Sequence, residues 1–215
     1  MILTGATGMV GEGVLLACLA SAEVHHVRLV SRRRYAIEHP KVSQLLFDDF
    51  TAVASHAHDL SGFDACFFCA GVSSVGKNEA LYTQLTHALT LGFATGLARL
   101  NPGMRFVYVS GQGTDSSERG RLMWARVKGR TENDLMRLPF SRVYAFRPGL
   151  MSPSPGQQSL KRWLAPLQPL YPLIRLLMPK QLLSLDEVGR AMIYAARRAP
   201  PGGVCEIADI RDFAT

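Results

Sequence analysis

No stretch of this sequence is long and apolar enough to read as a membrane span. The longest uncharged run, Ala80 to Ala98, carries Thr83, Gln84, Thr86, His87, Thr90 and Thr95, which predicts a buried helix instead. The amino end reaches Gly5 and Gly8 almost at once, without a basic or apolar leader, so a secretory signal is not expected and a cytosolic location is. Acidic residues are fewer than basic ones, 17 against 24, and the net charge of +7 directs attention to anionic partners: nucleotides, nucleic acid or a membrane surface. No Ser or Cys nucleophile motif of the hydrolase type occurs. The six histidines form no metal-ligand pattern, and His56-x-His58 falls in a surface loop, so no metal is expected. Cysteine is scarce too. Of the four, Cys66 and Cys69 spell C-x-x-C, but they sit in an apolar run read as a strand, where an odd separation sends the thiols to opposite faces. They are expected to be structural, as are Cys18 and Cys205.

What remains is a globular composition, 47% hydrophobic and 19% charged over 215 residues, which excludes collagen, coiled coil and wholesale disorder. Apolar strands alternate with helices: strands at Met1 to Thr4, His26 to Ser31, Leu45 to Asp48, Ala65 to Cys69, Arg105 to Ser110 and Arg142 to Phe146, with helices near 9–19, 78–100 and 118–138. The alternation predicts an α/β fold, a doubly wound parallel sheet with a small C-terminal helical appendage. From 151 to 180, prolines including Pro153, Pro166 and Pro179 break the chain into short pieces with an apolar surface around Trp163 and Leu164. That segment reads as a lid or packing appendage, or else as a dimer or membrane-surface patch. Ser184-Leu-Asp-Glu187 is a capping box that starts a helix to about Arg198, and Gly203 to Ala208 reads as a last strand.

The chemistry is concentrated in Thr4-Gly-Ala-Thr-Gly-Met-Val-Gly11, placed between the first strand and the first helix. In such a turn Gly5 permits the bend, Gly8 admits a pyrophosphate and Gly11 lets helix and strand pack closely, while the amides from Thr7 through Met9 and Val10 face the phosphates. Twenty residues after Gly11, where an acid would hold the ribose of NAD, the chain reads Ser31-Arg32-Arg33-Arg34. Guanidiniums there suit a 2'-phosphate, so NADP(H) is expected over NAD(H). Asp48 or Asp49 is placed either to touch the adenine or to start the following turn.

Thr4 to Gly11 resembles the glycine motif of the extended and atypical short-chain dehydrogenases/reductases, a superfamily that includes nucleoside-diphosphate-sugar epimerase-like proteins. Ser110 to Asp115 and Trp124 to Glu132 are similar to its Tat-interacting-protein group. The resemblance covers residues 1 to about 150 and implies a single Rossmann domain over 1–215, with 151–180 as the substrate or lid segment. It implies that Ala70 and Gly71 line the adenosine side and that Pro148, its carbonyl left free, positions the nicotinamide. The family's catalytic Ser, Tyr and Lys fall on Ser110, Trp124 and Lys128. Indole cannot serve as a general acid or base near neutral pH, so the Tyr role is unfilled. The expected function is an oxidoreductase acting on a small carbonyl/alcohol pair or a sugar nucleotide. The alternative is an NADPH-binding regulator without turnover. The partners implied are a dinucleotide and a small-molecule substrate, with a homodimer as one use of the apolar segment. Nucleic acid is not favoured: the basic residues between Arg119 and Arg137 are not interleaved with exposed aromatics.

Overall fold

The computed structural model describes residues 1–159 and 181–215. In chain order the elements are β1 (Ile2–Thr4), α1 (Met9–Ala20), β2 (Val27–Ser31), β3 (Val42–Leu46), α2 (Ala57–Leu60), β4 (Ala65–Phe68), α3 (Glu79–Thr83), α4 (Leu89–Leu100), β5 (Arg105–Val109), α5 (Met123–Leu135), β6 (Arg142–Phe146), β7 (Leu150–Ser152), β8 (Leu182–Ser184), α6 (Leu185–Arg198), β9 (Gly203–Cys205) and α7 (Ile207–Phe213). Among the described residues seven strands form one sheet in the order β3-β2-β1-β4-β5-β6-β9, every neighbouring pair parallel. This is the Rossmann arrangement, and its strand order reverses between β1 and β4, where a crevice opens at the carboxyl ends of the strands.

The strands are apolar because helices cover both faces. On one face Leu3, Leu29, Phe67, Val107 and Phe146 pack with Val14 and Leu15 of α1 and Val188 and Met192 of α6. On the other, Phe68, Phe106 and Tyr108 meet Phe47, Phe50 and Phe93 in an aromatic cluster. Cys66 belongs to this second face and Cys69 packs against the first, as a two-residue period requires. All four thiols are free, and burial pushes those of Cys66 and Cys69 well up.

Several boundaries differ from those expected. β3 spans Val42–Leu46 rather than Leu45 to Asp48; as an edge strand it tolerates Ser43 and Gln44, which disguise it. The helix expected from Glu118 starts at Met123, because the Asp115 carboxylate accepts from the Ser117 and Gly120 amides and Glu118 takes φ 60°, neither compatible with a helix. The strand expected to reach Ala208 stops at Cys205, where Glu206 and Asp209 cap α7. β7 and β8 form a parallel pair that the sequence did not announce. The helix from 79 to 100 contains a π-helical turn, Gln84–Ala88, and the capping box at Ser184 is formed as expected. Residues 160–180, which hold Trp163 and most of the proline-broken segment, lie outside the described residues.

Candidate dinucleotide site

At the strand-order reversal, Thr4 ends β1 and its hydroxyl accepts from the Ala70 amide (3.1 Å), tying the ends of β1 and β4 together. Gly5 turns the chain with φ +75°, and a Cβ there would lie 2.6 Å from the Ala70 nitrogen. The Gly8 amide closes the turn onto the Gly5 carbonyl at 2.9 Å. Gly11 presses against that turn: its Cβ would stand 2.1 Å from the Gly5 oxygen. α1 then starts at Met9 with Gly8 as its N-cap, which has no side chain to offer. The first-turn amides of Met9, Val10 and Gly11 are therefore left for an anion.

Beside this turn lies a cavity of about 180 Å³ lined by Gly5, Thr7, Gly8, Ser31, Arg32, Phe50, Ala70, Gly71, Leu85 and Leu89. A Cβ on Gly71 would meet nothing within 4 Å, so the wall there is open. The chain thus supplies a phosphate-binding turn, an apolar wall for a planar base and a cationic rim, which fits a dinucleotide. Arg32, Arg33 and Arg34 are exposed, and among the described residues none forms an ion pair. Their loop is nevertheless held: the Ser31 hydroxyl donates to the Arg33 carbonyl (2.6 Å), and Gln44 bonds both the amide and the carbonyl of Tyr35 at 2.9 Å. Asp49 takes the turn-starting role, its carboxylate accepting from the amide and hydroxyl of Thr51, while Phe50 faces the cavity.

The other end of the crevice is built by β5, β6 and α5. Ser110 is buried, with its hydroxyl 3.0 Å from that of Thr114, which donates in turn to the Gly111 carbonyl. This relay makes Ser110 the donor to Thr114 and leaves its lone pairs available. A second opening is lined by Ser110, Gln112, Pro148 and Gly149. Contrary to expectation the Pro148 carbonyl is not free: the Gln112 amide donates to it (3.0 Å), because the loop after β5 crosses the loop after β6. Trp124 is half-buried in the first turn of α5, its ring 3.5 Å from where a Gly113 Cβ would sit.

The Lys128 ammonium lies 5.4 Å from the centre of the Tyr108 ring, a cation–π distance. Tyr108 and Ser110 share a face of β5, so Ser110 and Lys128 come to the same side of the sheet. Burial lowers the Lys128 pKa to about 8, with the Glu132 carboxylate pulling the other way. Protonated Lys128 is therefore a stability cost that is full below pH 8 and relieved as pH rises from about 8 toward 10.5, the ordinary lysine value. Lys128→Met is expected to melt above the wild type at neutral pH. The difference between the two should narrow across that interval in thermal denaturation followed by circular dichroism.

Two charged clusters escaped the sequence reading. Arg147 at the end of β6 is buried, donating to Glu132 of α5 through Nε (3.1 Å) and Nη2 (2.5 Å), to Glu206 through Nη1 (3.0 Å) and to the Ser116 hydroxyl (2.5 Å). Glu12, in the first turn of α1, is 1% exposed and accepts from the Tyr35 hydroxyl and the amides of Gln158 and Ser159. The available signal was a charge on an otherwise apolar helix face: Glu12 is one turn before Leu15 and Leu16. Among the described residues no three His, Cys, Asp or Glu side chains gather as a metal site, and no helix is long and apolar enough to cross a membrane.

The model of the NAD dependent epimerase/dehydratase family matches residues 1–116. The protein fmp52-1, mitochondrial, of Aspergillus oryzae is 31% identical over 167 residues, which is 74% of this chain and 68% of that protein. Protein HTATIP2 of Rattus norvegicus is 25% identical over 77% of this chain and 68% of its own length. The chain thus spans about two thirds of these relatives. Among solved structures, MoeE5 in complex with UDP-glucuronic acid and NAD is similar with a TM-score of 0.71 at 17% identity, over 96% of this chain and 75% of that one. Helicobacter pylori ADP-L-glycero-D-manno-heptose-6-epimerase is similar with a TM-score of 0.69 at 14% identity, over 95% and 74%. These structural likenesses show the fold. The cytosolic expectation is overturned by the fungal relatives, which are named mitochondrial. An expectation against secretion does not choose between cytosol and organelle, and a basic chain is compatible with an organelle.

Proposed function

The chain belongs to the NAD dependent epimerase/dehydratase family, and on that premise we propose that it binds NADP(H) in preference to NAD(H) and acts as an oxidoreductase on a small carbonyl/alcohol pair. The observation that carries the preference is the exposed, unpaired Arg32 at the rim of the crevice, followed in the chain by the equally exposed Arg33, where an NAD-binding chain would place a carboxylate. The dinucleotide supplies or accepts the hydride. This chain's own groups bind and orient: Met9, Val10 and Gly11 offer amides to the pyrophosphate, and Lys128 holds the nicotinamide ribose. The Ser110 hydroxyl, its hydrogen turned to Thr114, accepts from a substrate hydroxyl. Trp124 stands at the position where the resemblance places a Tyr, and indole cannot move a proton near neutral pH. Burial lowers the Lys128 pKa to about 8, which brings its amine into range to exchange one near neutral pH.

Arg32→Ala/Arg33→Ala is the test. Loss of charge-assisted hydrogen bonds is expected to weaken NADPH binding by about tenfold or more while NADH binding is unchanged. Equal effects on the two dinucleotides contradict the preference. Trp124 favours a second reading, an NADPH-responsive regulator without turnover. NADPH consumption over a panel of carbonyl compounds, abolished in Lys128→Ala, selects the enzyme; binding without consumption selects the regulator.

A further inference from the structure

Glu12 is held by two parts of the chain that are far apart in sequence. Its Oε1 accepts from the Tyr35 hydroxyl (2.6 Å) and from the Gln158 amide (2.7 Å), and its Oε2 accepts from the Ser159 amide (2.7 Å). The strap carrying Gln158 and Ser159 is folded onto the start of α1: Gln157 Nε2 donates to the Met9 carbonyl (2.7 Å), and Gln157 Oε1 accepts from the Ser154 amide (2.6 Å). Tyr35 closes the Arg32–Arg34 loop, and Gln44 fixes its backbone. A single carboxylate in the first turn of the phosphate-facing helix is therefore shared between the arginine loop and the strap after β7.

We propose that Glu12 is a positioning residue that couples the arginine loop, where the cofactor's 2'-phosphate is read, to the strap at 154–159, so that NADPH, and not NADH, tightens that strap over the start of α1. The inference rests on the NADP(H) reading above and adds a regulated closure to it. The charge state suits the role. Burial alone raises a carboxyl pKa, yet the bonds from Ser159, Tyr35 and Gln158 outweigh it and hold Glu12 below its ordinary value, so near neutral pH it is an acceptor for all of its donors. Among the described residues no partner of this carboxylate is cationic, so its anchoring depends on those donors staying together. A 2'-phosphate that holds Arg32 and Arg33 in place also steadies the loop that presents the Tyr35 hydroxyl, and with it the Glu12 oxygen that Tyr35 shares with Gln158. Coupling of this kind acts in both directions: a strap held in place also favours the loop conformation that binds the phosphate.

Amide hydrogen exchange on the full chain, with and without each dinucleotide, tests the proposal together with Tyr35→Phe, which deletes one hydroxyl from a half-buried ring. In the wild type, NADPH is expected to slow exchange at the Gln158 and Ser159 amides about fivefold more than saturating NADH does. In Tyr35→Phe that difference should vanish, and NADPH affinity should fall several-fold toward that of NADH, with NADH affinity unchanged. A merely structural Tyr35 would weaken both dinucleotides alike. Equal protection of the strap by the two dinucleotides, or a Tyr35→Phe protein that discriminates as the wild type does, overturns the coupling while leaving the cofactor reading standing. Absence of binding by either dinucleotide overturns both.

Discussion

Glu132→Ala is expected to lose about 3–5 kcal/mol of stability, the penalty for leaving a buried charge without its buried partner, since the remaining carboxylate, Glu206, is exposed. For a chain of this length that corresponds to a melting temperature lower by roughly 6–20 °C. Arg147 is 8% exposed and Glu132 is 1% exposed, so water cannot replace the lost carboxylate. The bidentate pair also organises the site. Arg147 precedes Pro148, Glu132 is one turn after Lys128 in α5, and the same guanidinium reaches Ser116 in the loop that follows Ser110. The apolar double variant Glu132→Met/Arg147→Met should recover much of the loss, since it removes both charges together. Thermal melts of the three proteins check this. A single variant that melts with the wild type would show that the pair does not hold β6 to α5.

Gly11→Ala is expected to weaken dinucleotide binding by about 100-fold, the scale of an ångström-sized misplacement in a preorganised site. The added methyl group would sit 2.1 Å from the Gly5 oxygen, 2.4 Å from its carbonyl carbon and 2.9 Å from the Ala6 nitrogen. All three are backbone atoms, so no side chain can swing aside, and the phosphate-facing turn must move as a unit. Calorimetric titration alongside circular dichroism separates a displaced turn from a general loss of fold. A variant that binds as the wild type does would remove Gly11 from the account.

The parts of this molecule that were legible in the sequence are those set by neighbouring residues. The glycine turn, the apolar strands, the opposite facing of Cys66 and Cys69 and the Ser184 capping box each depend on spacings of a few positions. Polar edge strand β3 is hard to place from sequence because its pattern is weak where one side lacks a neighbour. The start of α5 was misplaced because the Asp115 side chain competes with the helix for its amides. The two charged clusters were not legible for a different reason. Glu12 meets Gln158 at a separation of 146 residues, and Arg147 meets Glu206 at 59, so only the closed sheet brings them together. The same crossing of loops took the Pro148 carbonyl, which no local rule could have assigned to Gln112.

Titration calorimetry of the wild-type chain with NADPH and with NADH tests the central claim most directly. The account predicts saturable one-to-one heats for both, the NADPH isotherm the tighter. Flat isotherms for both would contradict it.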